Sequence, residues 1–127
     1  MQRLFTSLTC AAVLSLSLLP PASAAEKPVL RVIVVQAPDV AAYVREIDVV
    51  RALWKKHNVP ATLTVYRATY AGTDTGAVVV EARFPSMVAL AQGMDAARSE
   101  PEIVAEMAKV VRLREVISDS LYEELSH

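Results

Sequence analysis

The sequence predicts an α+β domain built on a four-stranded antiparallel sheet. Three observations carry that expectation: strand-length runs of β-branched residues alternate with helical patterns in the order β-α-β-β-α-α-β, a glycine-flanked turn joins the second and third strands, and a leading apolar segment stands apart from everything after it. No internal repeat or low-complexity stretch follows that segment.

The leader comes first in the chain. Met1-Gln2-Arg3 is a short basic start, residues 4–19 are apolar, and Pro20-Pro21-Ala22-Ser23-Ala24 supplies a helix-breaking pair and an Ala-x-Ala end. An export machine and its peptidase read this pattern. An uncleaved anchor needs about 20 apolar residues, whereas Thr6, Ser7, Thr9, Ser15 and Ser17 dilute this run. Cys10 lies mid-run, away from the small-residue box a lipoprotein requires. Residues 1–24 are therefore expected to be a removed signal peptide and residues 25–127 a single domain, exported to the periplasm or the extracellular space. Cys10 is the only cysteine, so the exported domain has to hold together without disulfides. The formal net charge is −1 and no Lys/Arg cluster occurs, which speaks against nucleic acid as a partner. Nor is a membrane partner expected once the leader is gone.

Each later element has a local reason. Residues 29–36, Val-Leu-Arg-Val-Ile-Val-Val-Gln, are β-branched and stopped by Pro38, which predicts a strand. Asp39 then reads as an N-cap, and Val40, Tyr43, Val44, Ile47, Val50 and Trp54 recur at three- and four-residue steps, predicting a long amphipathic helix. It should end near His57-Asn58, because Asn tolerates the left-handed turn at a helix C-terminus and Pro60 cannot continue the ladder. Residues 62–70 and 77–84 alternate with period two around Gly72-Thr73-Asp74-Thr75-Gly76, predicting a hairpin. Pro85-Ser86 stops that strand and caps a second helix carrying Met87, Leu90, Ala91 and Met94 inward. Pro101 suits the first turn of a third helix, with Ile103, Val104, Met107, Val110 and Val111 inward; Glu102 and Glu106 come early and Lys109 and Arg112 late, an order that complements the helix dipole. In residues 116–122 two β-branched residues, two serines and Asp119 favour a fourth strand over a continued helix.

This order closes into a ferredoxin-like layer with the helices on one face. Alternation puts Val78, Val80, Ala82 and Phe84 on the helix side of the third strand, with Val79, Glu81 and Arg83 on the open side. The same reasoning assigns Leu30, Val32 and Val34 to the helix side of the first strand and Arg31, Ile33 and Val35 to the open side. It leaves Thr64, Tyr66, Ala68, Ser118, Ser120 and Tyr122 open as well. Arg67 falls on the helix side, where its head must reach water at the rim. An open face holding Ile33, Val35, Val79 and Tyr66 would be a large apolar patch, which predicts pairing of two sheets face to face.

Leu53-Trp54-Lys55-Lys56-His57 at the close of the first helix, Val65-Tyr66-Arg67-Ala68 in the hairpin, Phe84-Pro85-Ser86 and Ser99-Glu100-Pro101-Glu102 together resemble the dimeric α/β barrels, and within them the NIPSNAP-like and antibiotic-biosynthesis-monooxygenase-like domains. The resemblance runs from Val29 to about Leu125. It implies a homodimer with a pocket in each subunit. Its members include cofactor-free monooxygenases, haem-degrading enzymes and small-molecule isomerases, so it implies no single reaction.

Glu81, an acid within a β-branched strand on a face expected to be covered, has to be paired, hydrated or functional. Arg31 and Arg83 are its candidate partners. In a dry pocket it would be the candidate catalytic base, with Arg83 or Tyr66 steadying the anion. Arg31, Tyr66, Arg83, Tyr122 and Trp54 are the candidate ligand-binding residues, Trp54 being also a core residue by its place on the apolar stripe. His57 at a helix end is explained by the dipole, and His127 is terminal. No spacing of His or carboxylates suggests a metal, no phosphate-loop pattern is present, and no cofactor is expected. The expected function is binding of a small, partly apolar molecule by an exported homodimer. The alternatives are a cofactor-independent monooxygenase or isomerase acting by proton abstraction in the pocket, and a structural dimerisation module. Intact mass of protein recovered from the cell envelope should show cleavage after Ala24; a full-length chain retained with membranes would reject export.

Overall fold

The structure, a computed structural model, describes residues 26–125. The expected signal peptide and its cleavage site lie outside these residues. Capping residues set the element boundaries. Strand β1 (Val29–Gln36) ends before Pro38, and helix α1 (Val40–Lys56) begins where the Asp39 side chain accepts a hydrogen bond from the Ala42 N–H. It stops at His57 and turns through Asn58 at φ 54°, the left-handed conformation that Asn tolerates. Strands β2 (Thr62–Arg67) and β3 (Val78–Phe84) form the hairpin. β2 stops three residues short of the expected Tyr70. Gly72–Asp74 wind into a 3-10 turn closed by Thr75, whose hydroxyl accepts from the Ala71 N–H and donates to the Gly72 carbonyl.

Ser86 caps α2 (Met87–Ser99) through the Ala89 N–H, and Pro101 opens α3 (Pro101–Arg112) at its first turn. The tail is the strand β4 (Glu115–Glu123). The sheet runs β2-β3-β1-β4 with every neighbouring pair antiparallel, the arrangement of a ferredoxin-like fold. The three helices cover one face; no helix among the described residues is long and apolar enough to cross a membrane.

The register corrects the expected orientation of β1. Ile33 lies opposite Val80 and Arg31 opposite Ala82, and residues directly opposed in an antiparallel pair share a face. Arg31, Ile33 and Val35 therefore join Val80 and Ala82 on the helix side, with Val29 and Val35 buried, while Leu30, Val32 and Val34 lie on the open side. Because β1 is apolar at nearly every position, its own sequence carries no parity. Its one charged residue, Arg31, lies on the helix side. For β2, β3 and β4 the expected faces hold, and Arg67 is exposed at the strand's end on the helix side.

The inward faces of α2 and α3 differ from expectation in part: Leu90, Ile103, Met107 and Val110 pack against the core as expected. On α2 the buried residues are Ala89 and Gly93, whereas Met87 and Ala91 are exposed; on α3 Ile103 and Val110 are buried with Glu106 between them, whereas Val104 and Val111 are half exposed. Small side chains decide α2, since they let the helix approach the sheet closely enough for Phe84 to be fully buried. A Cβ at Gly93 would lie 2.8 Å from Phe84 Cε1 and 3.2 Å from Val59 Cγ1. Gly93→Ala gains up to about 1 kcal/mol of helix propensity, but overpacking a filled core costs about 1–3 kcal/mol. The variant should melt at a lower temperature than the parent, measured by circular dichroism.

Candidate functional site

Between the helices and the sheet lies a cavity of about 410 Å³. Its floor is the helix side of the sheet, with Arg31 and Ile33 from β1, Leu63 from β2 and Val80, Ala82 and Phe84 from β3. Helix α1 supplies Tyr43, Ile47, Val50 and Trp54, one stripe at helical spacing, and α2 and α3 close the roof with Met94, Ala97, Val104 and Met107. Trp54 stacks obliquely near Phe84, ring centroids 6.2 Å apart at 47°. Arg98 from α2, and Arg114 from the turn between α3 and β4, complete the wall.

The charged lining is cationic. Arg31 donates from Nε and Nη2 to the two Asp119 oxygens at 2.9 and 2.6 Å, and Nη1 lies 3.5 Å from Met94 Sδ. These bonds hold the Asp119 carboxyl below its ordinary range, against the opposing effect of burial, and raise the Arg31 guanidinium further. Arg114 Nη1 approaches the Tyr43 hydroxyl at 3.5 Å, while its Nε is buried without a hydrogen-bond partner among the described residues. The Trp54 indole Nε1–H is likewise buried and unpartnered. Tyr43 is fully buried, and desolvation pushes its phenol up. Among the described residues no carboxylate, histidine or amide side chain lines the cavity, and the described wall can enclose an apolar body and donate hydrogen bonds.

The expected site residues divide between the two faces of the sheet. Arg31 and Trp54 line the cavity. Glu81, Tyr66, Arg83 and Tyr122 lie on the open face, away from it. Arg31 does not pair with Glu81, because it projects from the opposite side and is engaged by Asp119. Glu81 lies half-buried between Val32 and Thr64 with no ion pair among the described residues. Arg83 pairs with Glu124. Tyr66 and Tyr122 are 48% and 55% exposed, so neither is enclosed within the protomer.

His57 is structural, as its place at the helix end suggested. Its two ring nitrogens lie 3.3 Å from Glu100 and 2.8 Å from Glu102, tying the end of α1 to the start of α3. Glu102 also accepts from Lys56, and that bond, with the one to His57, holds its carboxyl down.

Sequence reasoning treated Glu106 only as a favourable charge on α3. Its residue surface is 4% exposed, it accepts from Lys109 Nζ at 2.8 Å, and it faces Glu46 of α1. Hydrogen bonding between the two acids raises Glu46 and lowers Glu106. The signal was present in the sequence, since Glu106 interrupts the buried stripe between Ile103 and Val110. Among the described residues no cluster of three or more His, Cys, Asp or Glu could hold a metal ion.

No protein-family model and no curated protein matches the chain. Solved structures do. SnoaB from Streptomyces nogalater, a cofactor-independent oxygenase, superposes with a TM-score of 0.61 at 12% identity, covering 80% of this chain and 96% of SnoaB. The fold that this chain shares with it is the ferredoxin-like one. A putative antibiotic biosynthesis monooxygenase from Chloroflexus aurantiacus matches with a TM-score of 0.56 at 10% identity, over 79% of this chain and 95% of that one. A dimeric ferredoxin-like protein from an uncultured marine organism matches at 0.56 and 9% identity, over 80% and 99%. The NIPSNAP part of the resemblance rests on the sequence alone.

The Arg31–Asp119 pair should show coupling in a double-mutant cycle of Arg31→Gln and Asp119→Asn, about 0.2–1 kcal/mol because both side chains are a third or more exposed. Arg31→Gln and Glu81→Gln should be additive in denaturant melts. Asp119 is depressed in the folded state, so its contribution is present above the ordinary carboxylate pKa of about 4 and is lost as the pH falls through the lower folded value. Asp119→Asn should flatten that acid limb.

Proposed function

We propose that this protein is an exported homodimer that takes up a small, largely apolar molecule in the cavity between its helices and its sheet. The observation that carries this reading is the cavity itself: about 410 Å³, walled mainly by aliphatic, aromatic and methionine side chains, with its few polar groups converging from β1, α1, α2 and the turn before β4. Small-molecule sites occupy roughly 300–1,000 Å³ and have this composition. Export is supported by the Arg3, apolar run and Ala22-x-Ala24 pattern of residues 1–24.

Dimerisation is supported by the dimeric structural neighbour and by the open face, where Leu30, Val32, Val34 and Val79 stand beside Tyr66 and Tyr122. β4 is exposed along almost its whole length, with Val116, Ile117 and Leu121 each more than 40% exposed in the protomer. An open face of this composition supports pairing with a second copy. A second reading, cofactor-independent oxygenation in the same cavity, is favoured by the likeness to SnoaB, which is described as such an enzyme.

Octan-1-ol should change the emission of Trp54, the single tryptophan and a cavity residue, and Ala97→Phe, which fills the cavity, should abolish the change without altering the sedimentation coefficient. Val79→Asp places an unpaired carboxylate on the open face at a cost of roughly several kcal/mol to a covered interface and should turn the dimer into a monomer by sedimentation. A parent chain that is monomeric at micromolar concentration would reject the dimer. A parent chain whose tryptophan ignores apolar solutes would reject the cavity as the site.

A further inference from the structure

Polar atoms in the cavity wall are almost all donors, and their distribution along the cavity is uneven. Of the three buried side-chain polar atoms without a hydrogen-bond partner among the described residues, Arg114 Nε and Trp54 Nε1 belong to the wall; the one acceptor, Glu106 Oε1, does not. Among the wall arginines, Arg31 is matched by both oxygens of Asp119 and Arg98 is exposed. Arg114 is half-buried, makes no ion pair within 4 Å among the described residues, approaches the Tyr43 hydroxyl only at 3.5 Å, and feels at longer range the same Asp119 carboxylate that Arg31 already engages. A guanidinium drawn partly out of water beside an apolar space is costly unless an anion reaches it.

We propose that the molecule taken up is an apolar monocarboxylate, its carboxylate received by Arg114 and its body lying along the cavity toward Trp54 and Phe84. The inference rests on the reading of this cavity as the ligand site and adds the chemistry of the occupant. Arg31 and Arg114 share the single carboxylate of Asp119, which leaves one positive charge for a ligand, so a phosphate or dicarboxylate would carry surplus charge into an apolar wall. The planar guanidinium matches the paired oxygens of a carboxylate, and a carboxylic acid is ionised at neutral pH where an alcohol or phenol is not. Shape agrees with charge. Tyr43, beside Arg114, and Trp54 are separated by about 16 Å along α1 at its 1.5 Å rise per residue, so head and tail of an elongated molecule meet different ends of the site.

Three solutes with one body separate the possibilities: octanoate, octan-1-ol and octylammonium, titrated into the full exported protein by calorimetry and by Trp54 emission. Octanoate should bind at least tenfold more tightly than octan-1-ol, and octylammonium more weakly than either. Arg114→Gln should bring octanoate down to the affinity of octan-1-ol, and Arg114→Lys should restore part of the difference. Octan-1-ol binding as well as octanoate in the parent would overturn the carboxylate while leaving the cavity site standing. Failure of all three, with naphthalene-2-carboxylate also failing by calorimetry, would overturn the cavity reading and the inference with it.

Discussion

The register of β1 against β3 is the constraint on which the rest of the molecule depends. With Ile33 opposite Val80 and Arg31 opposite Ala82, one face of the two central strands becomes continuous floor for three helices, and Val29, Val35 and Phe84 are sealed beneath them. A slip by one residue would exchange the faces of β1, sending Arg31 to the open side and Leu30, Val32 and Val34 beneath the helices. The cavity would then lose its cationic floor, and Asp119 on β4 its bidentate partner. Register here is a functional quantity as much as a structural one.

The two faces of the sheet divide the labour. The helix side holds the enclosed space, and among the described residues its charged lining is three arginines: one bound by both oxygens of Asp119, one at the surface, and one half-buried beside Tyr43. On the open side are the sheet's remaining apolar residues and Glu81, whose half-buried carboxylate has neighbours of neither charge directly across the strands. Carboxylates elsewhere are tied into structural work. Glu106 meets Glu46 and Lys109 between α1 and α3, and Glu100 and Glu102 hold His57 where α1 ends. The chain holds α1 to α3 with polar contacts at one edge and an apolar stripe along the rest, which leaves the middle of the helix layer free to bound a cavity.

Turns and caps made most of the fold legible. Asp39, Asn58, Ser86 and Pro101 act within a few residues of their own positions, and each stands where its local chemistry placed it. The candidate site was half legible. Arg31 and Trp54 were singled out and do line the cavity, but Arg31 had been assigned to the wrong face because a strand apolar at nearly every position does not reveal its parity. In the structure its stem crosses the apolar floor while its head is held by Asp119 at the edge strand. Arg114, between two elements, had no periodicity to mark it. Ala89 and Gly93 were passed over in favour of larger neighbours on α2, since hydrophobicity favours bulk while close packing against Phe84 favours its absence.

By itself the sequence determined the order of elements and most of their ends, because these follow from dihedral preference, hydrogen-bond capping and local periodicity. Tertiary structure decided which side of β1 meets the helices, which residues of α2 and α3 point inward, and that Arg31, Trp54 and Arg114 share one enclosed space while Glu81 is excluded from it. The physical reason is range. A cap or a turn is satisfied by neighbours in the chain, whereas the face of a strand buried among apolar residues is settled only by the strands beside it and the helices packed above it.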